Sequence, residues 1–414
     1  MIQFSRHILD NGLTVICHTD KSTPFVSVNV LYKVGSRNEQ ADKTGFAHLF
    51  EHLMFGGSTH IEDYDKHVQL QLAGGENNAW TNNDITNYYL TVPRQNVETG
   101  FWLESDRMAG LNLSPSSLDI QKHVVIEEFK QRYLNNPYGD LWLKLRPLAY
   151  KVHPYRWATI GVSPEHIERA TLEDVGAFFR QFYAPDNAIV SICGNIAEDK
   201  ALELVKKWFG DIPPAHRPVS HIPAEPRQTE ERRSIVPDNN VPADAIYKVF
   251  HMGGRDSDDF YACDIISDIL SNGQSSRLYV NLIKNQRLFS GIDAYVSGDR
   301  DPGLFIFSGK LSEGIDIRQA EAAIDQEIEH FIKDEITVRE VEKIIHKTEA
   351  RISYSEISYQ SKASNLAFFE FLGDVDLINT EGKRYNDITV DKIKTTAREL
   401  FRKENCSTLW YLKK

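Results

Sequence analysis

Two histidines and a glutamate fall within one five-residue segment, His48-Leu49-Phe50-Glu51-His52. Residues four apart on a helix lie about one turn apart on the same face, so both imidazoles can reach one metal ion. Glu51 lies about 60° from His48 around such a helix, where its carboxylate can bond a water molecule on that ion. The spacing therefore predicts a metal site that activates water.

Zinc is the metal that this set of side chains suits. It takes histidine nitrogen and carboxylate oxygen at about 2.0–2.2 Å, and a catalytic site leaves one position open for water. The pKa of that water falls to about 7, and a neighbouring carboxylate can accept its proton as the water attacks a carbonyl. His48 and His52 are thus the predicted ligands and Glu51 the predicted general base, in the HxxEH order that mirrors HExxH.

The alternative interpretation is a surface helix whose polar residues share no function, and the pentapeptide alone does not decide against it. Its neighbours do weigh against it, because the motif is embedded in apolar residues such as Phe46, Leu53 and Phe55. Burying a His-Glu-His trio without a partner would be costly. The apolar setting therefore favours a bound cation.

A third ligand is predicted on a second helix, Ser117 to Tyr133, which offers Glu127 and Glu128. Val124 and Val125 precede Glu128 by four and three positions, so the three share a face that is predicted to point inward. A carboxylate in line with an apolar stripe indicates a cation partner. We therefore assign Glu128 as the ligand and leave Glu127, about 100° away, a supporting or solvated role.

The elements that must position these residues alternate between strands and helices. Runs of β-branched and aromatic residues predict strands at Phe25–Val34, Asn87–Val92 and Ala188–Cys193. Helices are predicted at Gly45–Phe55, which Gly56-Gly57 closes, and at Ala197–Phe209. Strands interspersed with helices, in runs too few for a doubly wound sheet, predict the α+β class.

The chain has 414 residues, which predicts two domains. A proline-rich and then polar stretch predicts a linker at 213–233, between a metal-binding domain at 1–212 and a second domain at 234–414. The segment Tyr32-Lys33-Val34-Gly35-Ser36-Arg37 is echoed by Tyr247-Lys248-Val249 and then Gly253-Gly254-Arg255. The echo predicts two homologous domains from an internal duplication.

Composition and charge exclude several classes of partner. The net charge of −12 argues against nucleic acid and anionic membranes, and no apolar run approaches the roughly 18–20 residues of a membrane span. The four cysteines lie far apart without CxxC spacing, which is typical of buried thiols. With no apolar leader at the start of the chain, we expect a cytoplasmic location, or a periplasmic one if a leader has been removed.

These motifs together resemble those of the M16 metallopeptidases, the pitrilysin and mitochondrial-processing-peptidase group, over nearly the whole chain. The family's HxxEH and later VVxxE motifs match His48 to His52 and Val124 to Glu128. Its GGxxNAxT and TxY signatures match Gly75 to Thr81 and Thr86 to Tyr88. Further matches are Asn136-Pro137-Tyr138-Gly139, His153-Pro154-Tyr155, Pro185-Asp186-Asn187-Ala188 and Ser275-Ser276-Arg277-Leu278.

The resemblance implies the LuxS/MPP-like metallohydrolase fold, one Zn²⁺ per chain, and a homodimer or a heterodimer with a second M16 subunit. It also implies an inverzincin endopeptidase or oligopeptidase that hydrolyses unfolded peptides in a clamshell chamber. Such peptides bind extended along a sheet edge. By this resemblance Asn78 and Ala79 would hold the substrate backbone, whereas Asn77-Asn78 alone would be interpreted as a turn.

The sequence departs from the family pattern at two places. Many members have a glutamate seven positions before the third ligand, where this chain has Gln121. Active members usually carry an arginine and a tyrosine seven apart in the C-terminal domain, where this chain has Ile283 and Ser290, while Arg287 and Tyr295 are eight apart. We therefore predict the zinc-bearing subunit of a pair, with a partner chain that supplies the arginine and tyrosine. The alternative is a non-catalytic subunit with a structural or peptide-binding role.

Overall fold

The computed structural model describes residues 1–62, 65–215 and 221–414. The chain forms two compact units from non-consecutive segments. The first unit comprises Met1–Lys130, Trp157–Ile222 and Ser353–Asn379; the second comprises Gln131–Arg156, Pro223–Ile352 and Thr380–Lys414. Part of the predicted linker 213–233, residues 216–220, lies outside the described residues, and the domain bounds 1–212 and 234–414 remain a prediction.

Eleven strands and fourteen α-helices follow one another along the described chain. The strands are β1 Ser5–Ile8, β2 Thr14–Thr19, β3 Phe25–Tyr32, β4 Glu76–Thr81, β5 Thr86–Pro93, β6 Ala188–Gly194, β7 Arg232–Asp238, β8 Ala245–His251, β9 Phe289–Val296, β10 Leu304–Leu311 and β11 Cys406–Lys413. The helices are α1 Phe46–Leu53, α2 Asp65–Leu72, α3 Val97–Ala109, α4 Pro115–Phe129, α5 Leu141–Ala149, α6 Pro164–Glu168, α7 Leu172–Phe182, α8 Glu198–Phe209, α9 Phe260–Ser271, α10 Ile317–Lys333, α11 Val338–Ser355, α12 Tyr359–Leu372, α13 Leu377–Asn386 and α14 Val390–Leu400.

The first unit is built on a six-stranded mixed sheet with the order β1-β2-β6-β3-β5-β4. β2 and β6 run parallel, and the other neighbouring pairs run antiparallel. β3 is buried along nearly its whole length, as expected of a strand covered on both faces. Asn29 and Leu31 lie on the face covered by α12, so Val28 and Val30 lie on the opposite face, the side of α1 and α3.

The second unit is built on a five-stranded mixed sheet with the order β7-β11-β8-β10-β9. β7 and β11 run parallel, and the remaining pairs run antiparallel. Read from β2 to β4, the first sheet has the same strand order and the same directions. The predicted α+β class, with two domains of mixed sheets covered by helices, is confirmed.

The elements predicted around the motif lie where the sequence places them. The strands predicted at 25–34, 87–92 and 188–193 are confirmed as β3, β5 and β6, and the helices predicted at 45–55 and 197–209 as α1 and α8. In the described parts of the chain, no helix combines the length and the apolar composition that a bilayer span requires.

The helix predicted from Ser117 to Tyr133 is α4, but its details differ. α4 begins at Pro115, because the side chain of Ser114 caps it by accepting the backbone N–H of Ser117. It passes at its other end into a π-helical turn at Lys130–Leu134. The expectation that Val124 points inward is wrong: Val125 is buried, whereas Val124 is 44% exposed.

Candidate metal centre

α1 is a two-turn helix whose apolar side packs into the first unit. Phe46, Leu49, Phe50 and Leu53 are buried, and they fix the orientation of the helix. Its two histidines and Glu51 lie on the remaining face. Since burial of apolar surface is the dominant stabilising term in folding, the apolar residues of α1 determine where its polar residues point.

The start of α1 is held by a buried carboxylate that precedes it in sequence. Gly45, the N-cap residue, has φ 91° and provides no side chain for capping. The backbone N–H groups of Gly45 and Ala47 donate to Glu39 Oε2 and Oε1 at 2.9 and 2.8 Å. Burial raises the pKa of Glu39 to about 8, although these backbone donors act in the opposite direction.

The structure brings the three predicted ligands together. His48 Nε2 lies 3.1 Å and His52 Nε2 lies 3.3 Å from Glu128 Oε2. Among the described residues, these three form the one group of histidine, cysteine or acidic side chains whose ligand atoms all lie within 4.8 Å of one another. Ligands about 2.05 Å from a tetrahedral zinc are roughly 3.4 Å apart, so the donor set fits a zinc ion.

His48 is the most enclosed of the ligands, with 6% of its surface exposed. Burial acts to lower the pKa of its imidazole, but the hydrogen bonds to Glu128 and Glu51 outweigh burial. The pKa of His48 is therefore raised to about 9. The two carboxylates thus favour a positive charge at this point. A divalent cation between the three ligands would meet the same electrostatic preference.

Glu51, the predicted general base, lies beside the ligands. Its Oε2 is 3.3 Å from Nδ1 of His48, the ring nitrogen that does not contact Glu128. Burial acts to raise the pKa of Glu51, but the hydrogen bond and charge of His48 and a bond from Thr81 lower it overall. The Glu51 carboxylate is therefore ionised at neutral pH and can accept a proton.

Besides the ligand Glu128, α4 carries Glu127 and Gln121, and the surroundings of these two side chains differ. The side chain of Glu127 is 70% exposed, and its Oε1 lies 2.6 Å from Lys130 Nζ, which leaves it solvated. Gln121 lines a cavity of 140 Å³ with Leu53, Phe55 and Ile120, among other residues. The first turns of α4 thus border a cavity, and Gln121 is one of the residues that line it.

Asn78 and Ala79 lie in β4, the strand that ends the first sheet. The interpretation of Asn77-Asn78 as a turn is therefore wrong. The N–H of Ala79 donates to Asn78 Oδ1 at 2.8 Å, so it points away from β5. Since donors alternate along an antiparallel strand, Asn77 and Thr81 also present their backbone groups to the outer edge of the sheet.

Sequence reasoning assigned no supporting role to three residues that support α1. The first is Glu39, and the second is Tyr88 of β5, whose hydroxyl donates to the carbonyl of Phe50 at 3.1 Å. The third is Arg107 of α3, fully buried, ion-paired with Glu104 and 4.3 Å from the centre of the Tyr88 ring. The signal for Glu39 was the glycine at the N-cap, because a helix that begins without a capping side chain needs one from elsewhere.

The positions expected to hold an arginine and a tyrosine lie in the second unit. Ile283 belongs to a π-helical segment, Tyr279–Asn285, and packs against the core. Ser290 lies at the start of β9 and donates to the carbonyl of Lys310 at 3.2 Å. Neither side chain can bind a carboxylate or an oxyanion as an arginine does.

Comparison with known proteins gives matches along most of the chain. A family model described as insulinase (peptidase family M16) matches residues 14–140, and one described as the peptidase M16 inactive domain matches residues 169–348. The zinc protease PqqE of Helicobacter pylori (strain ATCC 700392 / 26695) is 30% identical over 410 residues, which cover 98% of this chain and 91% of that protein. The uncharacterised zinc protease YmxG of Bacillus subtilis (strain 168) is 22% identical over 397 residues, covering 96% and 95%.

Solved structures match over the whole length. The crystal structure of a protease from Helicobacter pylori has a TM-score of 0.93 at 29% identity and covers 99% of this chain and 100% of that one. A structure from Pseudomonas fluorescens, named as a peptidase M16 inactive domain, has a TM-score of 0.89 at 16% identity, with coverage of 100% and 98%. At that identity the second structure supports the fold alone.

Proposed function

This chain belongs to the M16 peptidase family, and from that premise we propose that it is a zinc-dependent endopeptidase or oligopeptidase. It hydrolyses unfolded peptides with one Zn²⁺ held by His48, His52 and Glu128. The observation that carries the proposal is the convergence of these three side chains, from two separate helices, within 4.8 Å. The relatives named as zinc proteases support the same metal.

Each residue of the centre has a separate task in peptide hydrolysis. A bound Zn²⁺ would lower the pKa of a water molecule to about 7 and polarise the substrate carbonyl. Glu51 accepts the proton of the attacking water and returns it to the leaving amine. Thr81 orients the Glu51 carboxylate through its hydrogen bond. Buried Tyr88 holds the Phe50 carbonyl, and so keeps α1 in position during the reaction.

Substrate binding is proposed at the outer edge of β4. An extended peptide adds to this edge as a further strand, and its backbone bonds to the outward groups of Asn77, Ala79 and Thr81. When the peptide arrives, the side chain of Asn78 releases the N–H of Ala79 and bonds the substrate backbone instead. Because Thr81 also bonds Glu51, a peptide on β4 lies next to the general base.

A partner chain is proposed to complete the active site. Ile283 and Ser290 stand where active relatives usually have an arginine and a tyrosine, so we propose a dimer with a second M16 subunit that encloses a clamshell chamber. Among structural neighbours, the periplasmic protease PqqL of Escherichia coli is about twice as long, since this chain covers 48% of it. Two halves in one chain are consistent with the need for a pair.

A second function follows from the same two positions. If no partner supplies the missing groups, the chain is a non-catalytic subunit that binds metal and peptide without turnover.

For location we propose the cytoplasm, because the four cysteines are buried free thiols, as is usual in reducing compartments.

The test combines metal analysis with peptide hydrolysis. The purified chain is expected to hold about one zinc, and to hydrolyse an unfolded peptide faster when a family partner with the arginine–tyrosine pair is added. Glu51→Gln should retain zinc and lower the hydrolysis rate by about 10²–10⁴-fold. Zinc without hydrolysis in every mixture would favour the metal- and peptide-binding function. A chain that binds no zinc would contradict both functions and favour a structural subunit.

A further inference from the structure

We propose that Glu39 is a positioning residue of the metal centre, whose buried carboxylate holds the first turn of α1 so that His48 and His52 face Glu128. The inference rests on the proposed zinc site and adds a residue to it. Glu39 lies nine positions before His48 and touches none of the ligands through its side-chain bonds. Its hydrogen bonds therefore act on the ligands through the backbone of α1, although its charge also interacts with His48.

α1 needs such support because it is short. A helix of eight residues is marginal by itself, since the cost of starting a helix is spread over few hydrogen bonds. Its first N–H groups have no partner within the helix. Gly45 at the N-cap is in the left-handed conformation and has no side chain to offer.

The carboxylate of Glu39 meets that need with both of its oxygens. Oε2 accepts the N–H of Gly45 and Oε1 accepts the N–H of Ala47. Two different oxygens on two different N–H groups fix both the rotation of the helix and its position along its axis. Ala47 directly precedes His48, so a shift of this turn moves the first ligand with it.

Glu39 is itself fixed by the turn between β4 and β5. In the segment before it, the N–H of Ser36 donates to the carbonyl of Asn82 at 3.1 Å and the N–H of Arg37 to that of Asn83 at 2.9 Å. The guanidinium of Arg37 pairs with Asp84 at 3.1 Å in a largely buried contact. Glu39 therefore connects the end of the proposed substrate strand to the helix that carries the ligands.

The competing explanation is that Glu39 is an ordinary helix cap with an effect on stability alone. The second unit provides a matched control. Asp316 caps α10, where its Oδ1 accepts the N–H groups of Arg318 and Gln319 at 2.8 and 3.2 Å. α10 carries none of the proposed site residues, so loss of this cap reports the effect of capping without an effect on the site.

The experiment compares Glu39→Gln with Asp316→Asn in the full chain. In Glu39→Gln the amide places a donor where one carboxylate oxygen accepted, so one of the two N–H groups loses its partner. Both variants are compared with the wild type at about pH 9, where Glu39, with a pKa of about 8, is ionised. We expect zinc to bind roughly 10- to 100-fold more weakly, the range found when residues behind metal ligands are changed. Asp316→Asn should leave zinc binding within about twofold. Zinc affinity is measured by competition with a chromophoric chelator, and the ligand geometry by the visible spectrum of the Co²⁺-loaded protein.

The outcomes separate this proposal from the one on which it rests. Urea unfolding of both metal-free variants gives the stability loss due to capping. If Glu39→Gln is destabilised but binds zinc as tightly as the wild type, with the same Co²⁺ spectrum, the positioning role is wrong. If the wild type itself binds no zinc, the proposed metal centre fails first. Should Glu39→Gln not fold, Glu39→Asp replaces it, and an unchanged zinc affinity there also overturns the proposal.

Discussion

The two sheets of this protein share one topology and differ in chemistry. β2-β6-β3-β5-β4 and β7-β11-β8-β10-β9 have parallel and antiparallel pairs at the same places. α1 follows β3 and carries His48 and His52, whereas α9 follows β8 and buries Ile265, Ile266 and Ile269. The sheet thus accepts either a polar or an apolar helix here. The polar set of α1 is therefore not a requirement of the fold, and burying it needs a separate reason.

Other features are the same in both units. Arg37 follows β3 and pairs with Asp84, while Arg255 follows β8 and pairs with Glu381. Each guanidinium also lies over a phenylalanine ring. These are the arginines of the echoed segments. The echo therefore reflects a structural role that each arginine has directly after the corresponding strand of its sheet. What the units share is architecture, and what separates them is the set of residues on α1 and α4.

The largest effect is expected from making α1 resemble α9. His48→Ile should abolish zinc binding and lower peptide hydrolysis by more than about 10³-fold, because a bound metal is what brings the pKa of water near 7. The free energy of unfolding of the metal-free protein should change by no more than about 2 kcal/mol, since an apolar side chain replaces a buried imidazole. Zinc content, hydrolysis rate and urea unfolding with a chelator measure the three quantities.

The control for this change lies in α9. Ile266→Val should lower the free energy of unfolding by about 0.5–1.5 kcal/mol, as one buried methylene is lost, and leave zinc binding unchanged. If His48→Ile still hydrolysed peptides without zinc, the difference between α1 and α9 would not lie in metal binding, because catalysis would then not need the metal.

A smaller effect is expected where the two helices begin. Gly45, before α1, has φ 91°, and an added Cβ would lie 2.6 Å from the carbonyl oxygen of Ile160. Gly45→Ala should therefore lower the free energy of unfolding by at least about 2 kcal/mol. Asp259, before α9, has an ordinary φ of −91° and forms an exposed ion pair with Lys392. Asp259→Ala should cost no more than about 1 kcal/mol in urea unfolding. Equal losses of unfolding free energy in the two variants would show that the start of α1 does not require a glycine.

The edge strands β4 and β9 offer a third comparison, with a milder expected effect. Asn78→Ala should lower kcat/KM for an unfolded peptide by roughly tenfold, the equivalent of one hydrogen bond to the substrate backbone. Asp293→Ala removes an exposed polar side chain from β9 and should change kcat/KM by less than about twofold if the peptide binds on β4 alone. A comparable loss in both variants would place substrate on both edges.

Much of the first unit could be predicted from local sequence. β3, β5, β6, α1 and α8 are close to their predicted bounds because periodicity and turn residues act over short distances. The spacing of His48 and His52 indicated their common direction, since it follows from helix geometry. The ligand on α4 needed the helical period and the family motif together, because Glu127 and Glu128 are adjacent.

What could not be predicted depends on contacts between distant segments. α12 lies in the core of the first unit, where Leu366 and Ala367 pack with Ile189, although the chain between them passes through the second unit. The hydrogen bonds from Gly45 and Ala47 to Glu39 likewise depend on how the segment between Glu39 and α1 folds back. Val124 was expected inside because a helical period gives a common face and not what covers it; on that face Val125 is buried whereas Val124 is 44% exposed.

The smallest effect is expected at Glu127, which is adjacent to the proposed ligand Glu128 on α4. Glu127 is 70% exposed and pairs with Lys130, an arrangement that contributes at most about 1 kcal/mol. Glu127→Gln should therefore change zinc affinity by less than about twofold. Glu128→Gln should weaken it by more than the roughly 10- to 100-fold typical of residues behind the ligands, because a ligand oxygen loses its charge. Chelator competition on the two variants tests the register of α4. A larger loss in Glu127→Gln would mean that α4 is rotated by one residue about its axis and that the wrong carboxylate has been assigned to the metal.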